Sequence, residues 1–128
     1  MSLNNNISLD NELINRLQTD AIDLLKSLIA IPSFSKEEDK TAAILIEFLQ
    51  ARQIKTERLI NNIWATNLHF DSNKPSLLLN SHHDTVKPNK GYTIDPFDPF
   101  EKEGKLFGLG SNDVNSIIKK ACYYQNVN

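Results

Sequence analysis

Apolar residues recur three or four positions apart at Leu13, Leu17, Ala21, Leu24 and Leu28, which predicts a helix over residues 10–31 with one buried stripe. Pro32 ends it, because proline has no N–H and its ring crowds the preceding turn. Ser35 with Glu38 three residues later has the form of a capping box, and predicts a second helix with acidic residues in its first turn. The stripe of this helix is Ala42, Leu45, Ile46 and Leu49. From Ile54 the period changes to two. IKTERLI alternates and IWATNLHF does so in part, with Asn61-Asn62 as the turn between two neighbouring strands. DSNKP reads as a turn, and SLLLNS after it is a short unbroken apolar run, as expected of a strand at 76–80 buried on both faces. Residues 87–99, rich in Pro, Lys, Asn and Asp, read as a surface loop, and FEKEGKLFGLG as a hairpin turning at Glu103-Gly104. Helices followed by a mixed β-sheet with a buried strand give an α/β class. There is no internal repeat, low-complexity stretch or interdomain linker.

Composition narrows this without changing it. At 128 residues, 40% hydrophobic and 23% charged, the chain is one domain of ordinary globular composition. A net charge of −2 argues against a nucleic-acid footprint, which would need a basic face. No apolar run reaches the length of a membrane span, and MSLNNNISLDNE has neither the basic start nor the apolar stretch of a signal peptide. The single cysteine, Cys122, excludes an internal disulfide and suits a reducing compartment, so the expected location is the cytoplasm.

The candidate chemistry sits where the apolar run ends, in LNSHHDTV at 79–86. In an extended chain, residues two apart project to the same side, so His82 and Asp84 would face one way and His83 the other. One ring nitrogen of His82 could then bind a metal while Asp84 accepts a hydrogen bond from the second, setting the tautomer and raising the ligand's basicity. The rim at the carboxyl end of sheet strands is also a common place for sites in α/β proteins. On spacing alone a single H-x-D is equally a solvated pair at a strand end. His83 is expected to be structural, and His69, within NLHF, a strand residue.

Further motifs follow in order: LINNIWATNLHF, LLLNSHHDTVKP, and DPFDPFEKEGKLFGLGSND. Together they resemble the zinc-dependent hydrolase family that includes acetylornithine deacetylase, succinyl-diaminopimelate desuccinylase, aminoacylase and carboxypeptidase G, over about residues 10–113. The resemblance is strongest to the acetylornithine deacetylase branch. It implies the N-terminal part of a zinc-peptidase-like catalytic domain: two helices, then a mixed β-sheet. It places His82 at a zinc-ligand position, Asp84 at the catalytic carboxylate that orients it, and Asp113, closing GLGSND, at the carboxylate that bridges two metals. It further implies two zinc ions, for which cobalt or manganese could substitute. The substrate would be a small N-acyl amino acid and the setting amino-acid biosynthesis, in a cytoplasmic protein that forms homo-oligomers. A bridging carboxylate offsets the repulsion of two close dications, which acidify a shared water. A nearby carboxylate would then move the proton of that water to the leaving amine. The glycines before Asp113 would let the chain turn tightly.

After Asp113 nothing matches. VNSIIKKACYYQNVN has no Asp, Glu or His, so a general-base glutamate, further carboxylate ligands and a second histidine are missing. The expectation is therefore residues 1–113 as the N-terminal portion of a metallohydrolase domain and 114–128 as a non-matching tail. The sheet would be incomplete, and a chain truncated by a frameshift or early stop would be inactive alone. Two alternatives stand beside this. One is a noncatalytic fragment or interaction module pairing through its exposed sheet edge; the other is a single structural zinc at His82, Asp84 and Cys122.

Overall fold

A computed structural model describes residues 11–111. Helix α1 spans Asn11–Ile29 and α2 spans Asp39–Gln50. Two short hairpins follow, β1 (Thr56–Leu59) with β2 (Asn62–Ala65) and β3 (Phe100–Lys102) with β4 (Lys105–Phe107). The order of helices and then strands agrees with an α/β arrangement.

The core is built where the stripe of α1 meets α2 and β4. Leu25, Leu28 and Ile29 are buried, with Leu24, Ile44, Leu45 and Leu106 packed against them. Removing such side chains from water is the main stabilising term available to a domain of this size, roughly 1.5–3 kcal/mol each. Ala42 is fully buried on α2, where its small side chain is enclosed by its neighbours. At the rim, Arg52 lies over the Phe48 ring and donates to Asp20, joining the end of α2 to α1. Lys26 on α1 pairs with Glu101 on β3.

The second hairpin follows its turn chemistry. Glu103 and Gly104 both have positive φ, 52° and 71°, as a two-residue turn of type I′ requires. Phe100 and Phe107 stack across it with centroids 5.1 Å apart. Beyond β4, Gly108 sits at φ 152°, and a Cβ placed there would lie 2.6 Å from Ile29 Cγ2. Here the glycine serves close packing on α1. Leu109 is then buried, its N–H donating to the Pro96 carbonyl.

Several elements differ from expectation. α2 begins four residues after Ser35, with Glu38 as its N-cap and Asp39 in its first turn, and no side chain caps it. The box does not form because Lys36 turns into a left-handed conformation (φ 76°), its own N–H bonding the Glu38 carboxylate. In the first hairpin the turn is at Ile60-Asn61, one residue earlier than the Asn pair suggests, with Ile60 at φ 57°. β2 stops at Ala65, so His69 lies in a turn, its N–H donating to Asn67 Oδ1.

The largest departure is the apolar run. Among the described residues there is no mixed sheet: the hairpins form separate antiparallel pairs, and the single parallel pairing is the isolated bridge Phe34–Thr85. Residues 76–80 form no strand, and Leu77 and Leu78 are 66% and 86% exposed rather than buried. A strand buried on both faces needs hydrogen-bonded strand neighbours and covering layers, and among the described residues no strand pairs with this run.

Candidate functional site

The segment His82–Thr85 is held from one side and open on the other. Ser33 Oγ donates to the His83 carbonyl (2.9 Å), and the Thr85 N–H donates to the Ser33 carbonyl (2.8 Å). The His83 ring is half-buried between two elements, with Nδ1 2.9 Å from Thr41 Oγ1 on α2 and Nε2 3.1 Å from the Asn61 carbonyl in the β1–β2 turn. A carbonyl only accepts, so Nε2 carries a proton and donates. Residues 83 and 85 thus face inward, and 82 and 84 project outward.

On the outer side His82 Nδ1 lies 3.0 Å from Asp84 Oδ1 and 3.2 Å from the Asp84 carbonyl oxygen. Both oxygens accept, so the proton of a neutral His82 ring belongs on Nδ1 and the lone pair is on Nε2. Both side chains are accessible, at 60% and 38% exposure. They open onto a groove of about 670 Å³ whose walls include Leu45 and Leu49 of α2, Ile60 and Ile63 of the hairpin, and Leu79.

The floor beside the pair is a polar knot around Glu38. Its carboxylate accepts from the Lys36 N–H and from the Asn61 side-chain amide. Partial desolvation pushes the Glu38 carboxyl up. The N–H groups of Lys36 and of Glu38 itself, the Asn61 amide and the charge of the nearby His83 ring outweigh this, and hold it below the ordinary carboxylate range. The same Asn61 therefore bonds Glu38 through its side chain and His83 through its carbonyl.

Of the residues singled out from the sequence, His82 and Asp84 come together, and Asp113 lies outside the described residues, as does Cys122 of the alternative zinc site. Among the described residues no group of three His, Cys, Asp or Glu side chains comes close enough to hold a metal ion. The donor set there is one imidazole nitrogen with an orienting carboxylate, which fits part of a zinc site and is too small to hold the ion by itself. The contributions of Ser33, Thr41 and Asn61 were not visible in spacing, since Thr41 and Asn61 lie 42 and 22 positions from His83.

Comparison with known proteins adds the decisive observation. A succinyl-diaminopimelate desuccinylase of Xanthomonas oryzae pv. oryzae is 35% identical over 105 residues, covering 77% of this chain and 27% of the relative. The chain belongs with the N-terminal part of the acetylornithine deacetylase and succinyl-diaminopimelate desuccinylase family. Desuccinylases of Xylella fastidiosa (32% over 106 residues, 78% of this chain) and Delftia acidovorans (28% over 107 residues, 76%) match in the same way. The chain spans about a quarter of the length of these relatives (27–28%). No family model matches it. Among the described residues no helix is long and apolar enough to cross a membrane.

Proposed function

We propose that residues 1–113 form the N-terminal portion of the catalytic domain of a metal-dependent amide hydrolase, one that releases an acyl group from an N-acyl amino acid in the cytoplasm. The reading rests on one observation above all. His82 Nδ1 lies 3.0 Å from Asp84 Oδ1 at the mouth of a groove, an arrangement that would leave Nε2 available as a ligand. The names of the relatives favour a succinyl over an acetyl group. In this reading Asp84 fixes the tautomer and angle of His82, and Asp113 supplies a second, carboxylate ligand. Bound zinc, or cobalt or manganese in its place, would supply an acidified water.

The chain spans about a quarter of the length of the relatives it matches, and among the described residues no group of three His, Cys, Asp or Glu could hold a metal ion. The activity proposed is accordingly that of a whole enzyme containing this portion. The test is a hybrid in which residues 1–113 replace the corresponding part of a succinyl-diaminopimelate desuccinylase. Metal-dependent release of succinate, lost in His82→Ala, is the expected result. A folded hybrid that is inactive, or one that His82→Ala leaves unchanged, would overturn the assignment.

A further inference from the structure

We propose that Phe97 is a positioning residue for the metal site, a strut that sets the separation between the His82–Asp84 segment and the turn leading to Asp113. The proposal rests on the metal-site reading above and adds a residue to it.

The strut is built on a tight turn in the loop between Thr85 and β3. The Asp95 carboxylate accepts from the Phe97 N–H (2.9 Å) and the Asp95 carbonyl from the Asp98 N–H (3.4 Å), so the turn is braced by its own residues. On one side the Phe97 ring meets the Phe34 ring edge to face, with centroids 6.3 Å apart and planes at 70°. Phe34 in turn pairs with Thr85, the residue directly after Asp84. On the other side the Pro96 carbonyl accepts from the Leu109 N–H at 2.7 Å. Leu109 is buried within a turn that the Ser111 N–H closes on the Gly108 carbonyl. Asp113, outside the described residues, follows two positions after Ser111.

Both arms also rest on the end of α1. Gly108 packs against Ile29, the last residue of that helix, and Ser33 and Phe34 follow Ile29 within a few residues. The contacts therefore close a ring: Ile29 to Gly108, Leu109 to Pro96, Phe97 to Phe34, and back along the chain to Ile29. Such a ring leaves little freedom in the distance between Thr85 and Leu109. Ligands that share a pair of metal ions must be held at set separations, and residues behind the ligands commonly do this. The Phe97–Phe34 link is made by side chains, so substitution can loosen it while the backbone bonds of the ring remain.

Two readouts test the strut. In the metal-free 128-residue chain, hydrogen exchange follows the Thr85 N–H, bonded to the Ser33 carbonyl, and the Leu109 N–H, bonded to that of Pro96. Phe97→Leu keeps an apolar side chain and removes the ring edge. It should speed exchange at both amides about tenfold and leave those of Leu25 and Leu28 in the core unchanged. Phe97→Tyr keeps the ring and should exchange as the wild type does. In the hybrid enzyme, succinate release is followed as metal is returned to the stripped protein. Phe97→Leu should raise the metal concentration for half-maximal activity about tenfold, with KM unchanged at saturating metal. Phe100→Leu breaks the Phe100–Phe107 stack, which lies outside the ring, and should leave the metal dependence alone. Wild-type exchange at either amide of Phe97→Leu would overturn the proposal, as would an unchanged metal titration. So would an equal effect of Phe100→Leu, a tyrosine variant that behaves like leucine, or unfolding of the whole chain, since the strut lies at the rim of the core. If the wild-type hybrid needs no metal, the metal-site reading fails and the exchange rates alone decide the strut.

Discussion

Two leucine-rich segments of this protein meet opposite fates. Leu25 and Leu28 of α1 are 4% and 5% exposed, whereas Leu77 and Leu78, in an equally apolar run, are 66% and 86% exposed. Side-chain hydrophobicity does not separate them. A helix satisfies its backbone within itself and needs only one apolar surface to lie against, which α2 and β4 provide within the same hundred residues. A strand needs partner strands on its edges as well as cover for its faces, and among the described residues no strand lies beside Leu77 and Leu78. Burial here follows the availability of neighbours.

That comparison can be broken at its strongest point first. Leu28→Ala should lower the unfolding free energy by about 3 kcal/mol in urea denaturation, the ordinary result of a cavity in a packed core. Gly108→Ala should cost about 2 kcal/mol, because a methyl group there collides with Ile29 and the backbone is left-handed. Its signature would be a shift of the Ile29 methyl resonances. Ile60→Gly is expected to act in the other direction, stabilising by about 1 kcal/mol. It releases an exposed β-branched residue from φ 57°, and hydrogen exchange of the first hairpin should slow accordingly.

Glu38 gives a pH-dependent test on the groove side. Its carboxyl is held below the ordinary range, so its contribution is present above the unfolded-state carboxylate pKa and is lost as pH falls through the lower folded value. Glu38→Gln should therefore flatten the acid limb of the stability profile and leave its neutral plateau lowered. The smallest effect is expected where the comparison says nothing is packed. Leu78→Ser should change stability by no more than about 0.5 kcal/mol. A loss as large as that of Leu28→Ala would show that the run is buried after all.

Much of the architecture could be read from local pattern. Both helices, the β3–β4 hairpin and its Glu103-Gly104 turn rest on interactions within a few residues, where periodicity and turn chemistry are sufficient. The capping box failed for a local reason as well, because Lys36 took the Glu38 carboxylate before Ser35 could start the helix. The assignment of 76–80 as a buried strand failed for a non-local one.

At the candidate site the division is similar. Spacing alone placed His82 and Asp84 two apart, and the order of motifs indicated the family. Alternation also indicated that His83 would turn away from them. Only the tertiary structure showed where it turns to: Thr41 on one helix and Asn61 in a distant hairpin, joined through Glu38. The physical reason is that a side chain's direction depends on its neighbours in the chain, while its partners depend on how separate elements pack. No interval in the sequence encodes 42 residues of separation as a hydrogen bond.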